Sequence, residues 1–173
     1  MNVYLFPTEL EATPFRALCP DATIVVSGVG TVATSATIAK LYREGSIGEG
    51  RVVVLAGLAG SYDAELGYGE VVEVVEERCA ELPERFQQRY SNMPHTTLRT
   101  VKSNTVHATS AALGAQIENM EGATLFAMAE MMGFRAVEVR AISNRVGESF
   151  DKWHLDEALE ALAKELKEIE YAE

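Results

Sequence analysis

Val52-Val53-Val54-Leu55-Ala56, followed directly by Gly57-Leu58-Ala59-Gly60-Ser61-Tyr62, is the most informative segment of this sequence. Its first half is a continuous aliphatic run without polar alternation, which is typical of a β-strand covered on both faces. Its second half consists of small residues, which would let a ligand approach the backbone closely. The same glycines would equally suit a tight turn that packs a helix. The segment therefore predicts a buried strand and leaves the role of its glycines open.

Similar apolar runs on both sides of this segment predict further strands at 3–6, 23–27, 71–75 and 136–142. Apolar residues at helical spacing predict helices over 31–44, 121–132 and 155–169, and Gly133 is placed to end the second of them. The alternation predicts an α/β fold, a single domain over residues 1–173 with a mixed, mostly parallel central sheet flanked by helices. Segment 83–97, which is charged and contains two prolines, fits neither pattern, and we expect a mobile loop or a broken helix there.

The composition excludes several classes of function. The 173 residues carry 15 basic and 26 acidic side chains, and a net charge of −11 disfavours binding to nucleic acid or to anionic membranes. No apolar run approaches the roughly 18 residues of a membrane span. The first residues lack the basic start of a signal peptide, so we expect a cytoplasmic protein. The two cysteines and three histidines show no metal-ligand spacing, which predicts that no metal is bound.

Ser27-Gly28-Val29-Gly30-Thr31 follows the second predicted strand and leads into a helix. The third glycine of a dinucleotide-binding fingerprint is missing, because Ala33 occupies its position, and a nicotinamide cofactor is therefore disfavoured. Backbone N–H groups at the start of such a helix can nevertheless hold an anion. The segment is thus either a simple turn or a candidate anion site.

Two later segments also lie where ligands collect in α/β sheets, at the carboxyl ends of strands. Asn119-Met120-Glu121-Gly122-Ala123 opens a predicted helix, and Arg140-Ala141-Ile142-Ser143-Asn144 closes a predicted strand. Each has a simpler explanation. Glu121 at an exposed helix start would interact favourably with the helix dipole, and Asn144 would be a turn residue.

In this order, the four segments resemble the nucleoside phosphorylase and nucleosidase family, and Met120-Glu121-Gly122-Ala123 is the most specific of these motifs. Segments 58–62, 69–78 and 140–146, together with Lys152-Trp153, are most similar to the futalosine hydrolases within it. The resemblance implies a phosphorylase-like fold, no metal or organic cofactor, and a homo-oligomer. It also implies hydrolysis of a purine N-ribosidic bond, that of futalosine, to hypoxanthine and dehypoxanthinyl futalosine in menaquinone biosynthesis.

The resemblance also implies roles for individual residues. Glu121 matches the glutamate that grips the ribose hydroxyls, and Asn144 matches the residue that contacts the purine ring. Glu11 matches the glutamate that orients the attacking water, with Glu9 as an alternative match. Thr8 is placed as a helix N-cap, which would turn Glu11 inward and Glu9 towards solvent. The further substrate-binding residues that the resemblance implies are Gly28, Ala59, Gly60, Thr105, Val106 and Met120.

Asn144 distinguishes between possible bases. Adenosine-type nucleosidases of the family carry an aspartate here, which can protonate N7 of the purine. An amide does not donate its proton outright, but it forms hydrogen bonds through both its oxygen and its nitrogen. The residue therefore favours a 6-oxopurine such as hypoxanthine over adenine.

Three other functions stay open. The first is a methylthioadenosine/adenosylhomocysteine nucleosidase, and the second is a purine nucleoside phosphorylase, which would need basic groups for phosphate where this chain offers only Arg16 early in its sequence. The third is a non-catalytic nucleoside-binding protein, because the chain is short for the family around 88–97 and 110–117. In addition, Lys102-Ser103-Asn104-Thr105-Val106-His107 stands where relatives carry a Ser-Gly-Asp loop, so the substrate is less certain than the reaction class.

Overall fold

The computed structural model describes residues 2–169 and 171, and within them eight strands and four helices follow one another. The strands are β1 (Asn2–Phe6), β2 (Thr23–Val26), β3 (Val52–Ser61), β4 (Val71–Cys79), β5 (Arg89–Ser91), β6 (Arg99–Thr105), β7 (Ile117–Asn119) and β8 (Arg135–Arg145). The helices are α1 (Glu9–Leu18), α2 (Gly30–Arg43), α3 (Gly122–Met132) and α4 (Leu155–Glu168). Short 3-10 turns occur at Glu84–Phe86 and Phe150–Lys152.

These strands form one mixed sheet in which most pairings are parallel, as the sequence predicts. β8 is parallel to β3 on one side and antiparallel to β4 on the other. β3 also pairs with β7, and β6 joins β7 to β4. The strands β3, β7, β6, β4 and β8 therefore close into a ring. The sequence does not predict this ring, because β6 and β7 lack a clear apolar run.

Helices cover the sheet on both faces, which confirms the predicted layering. α1 packs against α4, and α2 packs against α3. One apolar core includes Ile38 and Leu125, and the other includes Phe15 and Leu162; each of these four side chains is at most 1% exposed. In the part of the chain that the structure describes, no helix is long and apolar enough to cross a membrane.

The helix ends follow local sequence signals. The side chain of Thr8 accepts a hydrogen bond from the N–H of Glu11, as expected for the N-cap of α1. Gly133 ends α3 with φ 74°, a left-handed conformation that favours glycine. Both predicted boundaries are confirmed.

Two predicted strands are longer than their apolar runs. The strand predicted at 52–56 continues to Ser61, and the strand predicted at 136–142 continues to Arg145. The two strands pair in parallel along their whole length, with one register shift between Ala59 and Gly60. The glycine segment 57–60 is therefore strand and not turn, and Asn144 is a strand residue. Pairing with a neighbouring strand outweighs the low strand propensity of glycine.

Two predicted loops are more ordered than expected. Segment 83–97 contains a 3-10 turn and β5, and it is fastened by Glu73, whose carboxylate accepts hydrogen bonds from the N–H groups of His95 (2.7 Å) and Thr96 (2.9 Å). Most of segment 102–107 belongs to β6, which ends at Thr105. The expectation of loops failed here because both stabilising contacts come from β4, which is distant in sequence.

Candidate active site

A cavity of about 540 Å³ opens where β3 and β8 end, beside the start of α1. Ala59 and Gly60 line it from β3, and Ser143 and Asn144 line it from β8. The carboxyl ends of strands are the place where α/β sheets bind ligands. The cavity is also of the size usual for a small-molecule site.

Glu11 lines this cavity from the first turn of α1 and is 9% exposed. Its Oε1 accepts the N–H of Leu58 at 3.0 Å, and its Oε2 accepts the hydroxyl of Thr8 at 2.6 Å. Glu9, by contrast, is exposed and forms a 2.7 Å ion pair with Arg16. The structure therefore brings Glu11 and not Glu9 to the cavity.

Glu121 also lines the cavity, and its expected position at an exposed helix start is wrong. The residue is 3% exposed, and its Oε1 accepts the N–H of Gly30 at 2.9 Å. Its Oε2 accepts Nη2 of Arg140 at 3.2 Å. Glu121 does not cap α3 with its own carboxylate, because Oδ1 of Asn119 accepts the N–H groups of Glu121 and Gly122 at 2.8 and 2.7 Å. The carboxylate is thus left for contacts across the cavity.

Arg140 is 1% exposed and forms ion pairs with Glu121 and Glu138. Its Nη2 also donates to Oδ1 of Asn119 at 3.0 Å, and its Nε donates to Glu138 at 2.8 Å. A Cβ on Gly57 would lie 2.7 Å from Nη1 of Arg140 and 2.9 Å from Oε1 of Glu11, so only glycine allows this approach. Burial by itself would lower the pKa of Arg140, but the surrounding carboxylates raise it above its ordinary value. Arg140 opens the motif 140–144, but its sequence context predicts no role for it.

Asn144 lines the cavity from the end of β8 and is 5% exposed. Its Oδ1 accepts the hydroxyl of Ser143 at 2.8 Å, and its Nδ2 donates to the carbonyl of Arg145 at 2.9 Å. A Cβ on Gly60 would lie 3.1 Å from Nδ2, so the amide rests against β3. These contacts fix the orientation of the amide and use one of its two N–H hydrogens. The second hydrogen is available to a ligand.

The other predicted binding residues divide into two groups. Ala59, Gly60, Val106 and Met120 line the cavity. Thr105 and Gly28 do not line it. The buried hydroxyl of Thr105 donates to Glu77 and accepts the N–H of Ala123, both at 2.7 Å, so this residue supports the start of α3. Gly28 has φ 84° and forms the turn before α2.

The cavity has two chemically different ends. We call the part around Glu11, Glu121 and Arg140 the inner end. The part bordered by Leu10, Val29, Phe150 and Trp153 is the outer end, which the sequence analysis missed. The rings of Phe150 and Trp153 lie 5.1 Å apart, and Phe150 is 65% exposed. The presence of two aromatic residues beside Lys152 was the only sequence signal for this end.

Residues 107–109 line the cavity as well, and hydrogen bonds to Glu118 hold the segment to which they belong. Glu118 lines the cavity, and its Oε2 accepts a short hydrogen bond from the hydroxyl of Tyr62 and a 3.2 Å bond from the N–H of Ser110. Burial and the carboxylate of Glu118 raise the pKa of Tyr62 to about 12. The phenol therefore stays protonated at neutral pH and donates to Glu118. The same carboxylate accepts the N–H of Ser110 and so holds the segment that follows His107.

A curated relative and several solved structures resemble this chain. The futalosine hydrolase of Thermus thermophilus is 28% identical over 98% of this chain and 95% of the relative. That alignment spans 218 positions, so the relative contains segments that this chain of 173 residues lacks. A Helicobacter pylori futalosine hydrolase structure matches with a TM-score of 0.80 at 16% identity over 96% of both chains. The 5'-methylthioadenosine/S-adenosyl homocysteine nucleosidase of the same organism matches with a TM-score of 0.81 at 15% identity, also over 96% of both chains.

These likenesses confirm the predicted fold but do not separate the two kinds of enzyme, because both structures match equally well. The sequence profile of the phosphorylase superfamily matches residues 73–169, a range that contains Glu121, Arg140 and Asn144. The predicted family and the prediction of an enzyme are thereby confirmed. The chain belongs to the phosphorylase superfamily.

Proposed function

We propose that this protein hydrolyses the N-ribosidic bond of a purine nucleoside, with futalosine as its substrate and hypoxanthine as the released base. The observation that carries this proposal is the pair of buried carboxylates at the inner end. Glu11 and Glu121 both line the cavity, and each is held by a backbone N–H from another element. The Thermus relative, a futalosine hydrolase, supports the choice of substrate.

The charges of the inner end fit the transition state of this reaction. Cleavage of an N-ribosidic bond leaves positive charge on the sugar and negative charge on the departing base. Among the described residues that line the cavity, Arg140 is the only lysine or arginine, and it is already bonded to Glu121 and Glu138. The carboxylates therefore exceed the cations, and their attraction for the sugar grows as its charge develops.

Glu11 is the best-placed group to activate water. Both of its oxygens already accept one hydrogen bond, but a carboxylate oxygen has a second lone pair for a water molecule. The donors Thr8 and Leu58 fix the direction of the carboxylate. A fixed carboxylate within hydrogen-bond reach of a water can take its proton as the water attacks the sugar.

The same contacts favour hydrolysis over phosphorolysis. The start of α2 was a candidate anion site, yet the N–H of Gly30 already donates to the carboxylate of Glu121. A phosphate entering there would face this carboxylate, and the described residues that line the cavity offer it no lysine or arginine other than Arg140, which is already paired. Two like charges at such short range repel strongly.

Asn144 supports a 6-oxopurine as the leaving base. Its remaining N–H hydrogen can donate to N7 or O6 of a 6-oxopurine, which are both acceptors, and negative charge accumulates on the base as the bond breaks. Ala59 and Gly60 line the same cavity and bring no bulky side chain into it. We also propose a homo-oligomer, which the family resemblance implies and sedimentation velocity would test.

Base release from three nucleosides tests the proposal directly. Futalosine, inosine and methylthioadenosine are each incubated with the protein, with and without phosphate, and the free base and sugar products are separated by chromatography. We expect hypoxanthine from futalosine at a rate that does not depend on phosphate. A ribose 1-phosphate product would show a phosphorylase, adenine release alone would show a methylthioadenosine nucleosidase, and no release from any nucleoside would contradict catalysis.

A further inference from the structure

Two glutamates lie beneath the inner end without lining the cavity. Glu77 comes from β4 and Glu138 from β8, two antiparallel neighbours in the ring of strands. Both residues are fully buried. Charged side chains are seldom buried in this way unless their charge is paired or removed.

The two carboxyl groups face one another at the first residue of α3. A Cβ on Gly122 would lie 2.6 Å from Oε1 of Glu138 and would also collide with Oε1 of Glu77, so glycine is required there. Atoms of both carboxyl groups therefore lie within 2.6 Å of the same point, the Cβ position of Gly122. Two ionised carboxylates in this arrangement would repel, and one of them is then expected to hold a proton.

The available donors lead to the same conclusion. Glu77 accepts hydrogen bonds from the hydroxyl of Thr105 and the amide of Asn119, and Oε1 of Glu138 accepts Nε of Arg140. Oε2 of Glu138 is buried and receives no hydrogen bond from any described residue. A buried oxygen without a donor is costly. A proton on the facing carboxyl of Glu77 would supply the missing donor.

The surrounding charges decide which partner holds this proton. Burial and the neighbouring Glu138 raise the pKa of Glu77 well above its ordinary value. Burial also raises the pKa of Glu138, but the guanidinium of Arg140 opposes this and favours the ionised form. Three other ionisable groups surround the pair. Glu121 at the start of α3 interacts with Glu138, and Cys79 on β4 interacts with Glu77. Glu11 interacts with Arg140 and so affects the pair indirectly.

We propose that Glu77 and Glu138 share one proton and act together as positioning residues for Arg140. The pair then carries a single negative charge, which anchors Nε while Nη1 and Nη2 extend to Leu58, Asn119 and Glu121. Loss of the proton would place a second negative charge under Arg140 and weaken its bond to Glu121. The consequence for catalysis rests on the proposed function, whereas the shared proton itself can be measured without any substrate.

Stability as a function of pH is the first test. The folded protein keeps a proton on Glu77 at pH values where the unfolded chain has released it, since an ordinary glutamate has a pKa of about 4.3. This contribution is complete below that pKa and is lost as pH rises towards the raised pKa of the folded state. Glu77→Gln needs no proton, so its free energy of unfolding should decline less with rising pH than that of the wild type. Equal slopes for the two proteins would overturn the proposal.

Infrared spectroscopy of the free protein is the second test, and it does not depend on the slope. A protonated carboxyl has a C=O stretch distinct from that of carboxylates, and we expect one such band at neutral pH that disappears in Glu77→Gln. Glu73→Gln is the matched control, because Glu73 is also buried on β4 but both of its oxygens accept hydrogen bonds, three in all, from His95 and Thr96. That variant should retain the band. A wild type without the band would contradict the shared proton.

Kinetics separate a positioning role from a purely structural one. In the wild type, kcat should fall at alkaline pH as the shared proton is lost. Either single variant, Glu77→Gln or Glu138→Gln, keeps one negative charge and one donor in the pair at every pH, and its kcat should not show this fall. The double variant removes the charge beneath Arg140, and kcat should fall about 10²-fold with a smaller change in KM. An unchanged kcat in a folded double variant would overturn the positioning role. If no variant and no wild type has activity, the spectroscopic result still decides the shared proton.

Discussion

The two ends of the cavity are built in opposite ways. At the inner end, Glu11, Glu121 and Arg140 are nearly buried, and every one of them is held by several hydrogen bonds from different elements. At the outer end, Phe150 is mostly exposed and its ring contact is with Trp153, a near neighbour in sequence. Preorganised charges stabilise a transition state, whereas loosely held apolar surface contributes to binding. We infer that the inner end determines the reaction and the outer end determines how tightly the substrate is held.

The largest effect is expected for Glu121→Gln. This change removes the charge that faces the developing sugar cation, and kcat should fall by about 10³-fold, the upper range for one preorganised electrostatic group. Because Glu121 is buried against Arg140, the melting temperature should fall as well. Steady-state kinetics and a thermal melt measure the two effects. Near-wild-type activity in a folded variant would remove Glu121 from the reaction.

Glu11→Gln should be the second-largest effect, at about 10² in kcat with KM nearly unchanged, since the proton transfer to Glu11 occurs only in the transition state. Glu9→Gln is the matched control, two residues away on the same helix but exposed and bonded to Arg16. It should leave both constants as they are. Should Glu9→Gln lose activity while Glu11→Gln keeps it, the assignment of the water-activating residue is wrong.

Asn144→Asp tests a part of the cavity that belongs to neither end, the part lined by the end of β8. The hydroxyl of Ser143 would still orient the new side chain, but a carboxylate oxygen would replace the N–H donor and repel O6 of hypoxanthine. We expect kcat/KM for hypoxanthine nucleosides to fall about tenfold relative to adenine nucleosides. Competition between inosine and methylthioadenosine in one reaction gives this ratio. A constant ratio would show that another residue selects the base.

The contrast between the ends also explains what the sequence could predict. Thr8 and Gly133 act within a few residues of their own positions, so the start of α1 and the end of α3 could be predicted from local patterns. The N-cap further predicts that Glu11 turns inward, as the structure shows. Local signals are sufficient wherever the interacting groups are close in sequence.

The rest depended on contacts between distant residues. The burial of Glu121 results from Gly30 and Arg140, and neither contact leaves a signal near position 121. Strand β7, which joins β3 to β6 in the closed ring, has three residues, too few for a periodic pattern, and so the ring could not be predicted. Glu77 and Glu138 are glutamates within strands, a residue type that is usually exposed on solvent-facing positions.

The smallest effect is expected at the outer end, for Phe150→Ala. The variant removes one aromatic ring from the border of the cavity and its contact with Trp153, and KM should rise about threefold while kcat stays constant. Stability should hardly change, because the ring is mostly exposed. Phe86→Ala is the matched control, since Phe86 is 55% exposed and does not border the cavity, and it should leave KM unchanged. A fall in kcat as large as that of Glu11→Gln would contradict the separate roles of the two ends, because the outer end would then stabilise the transition state as well.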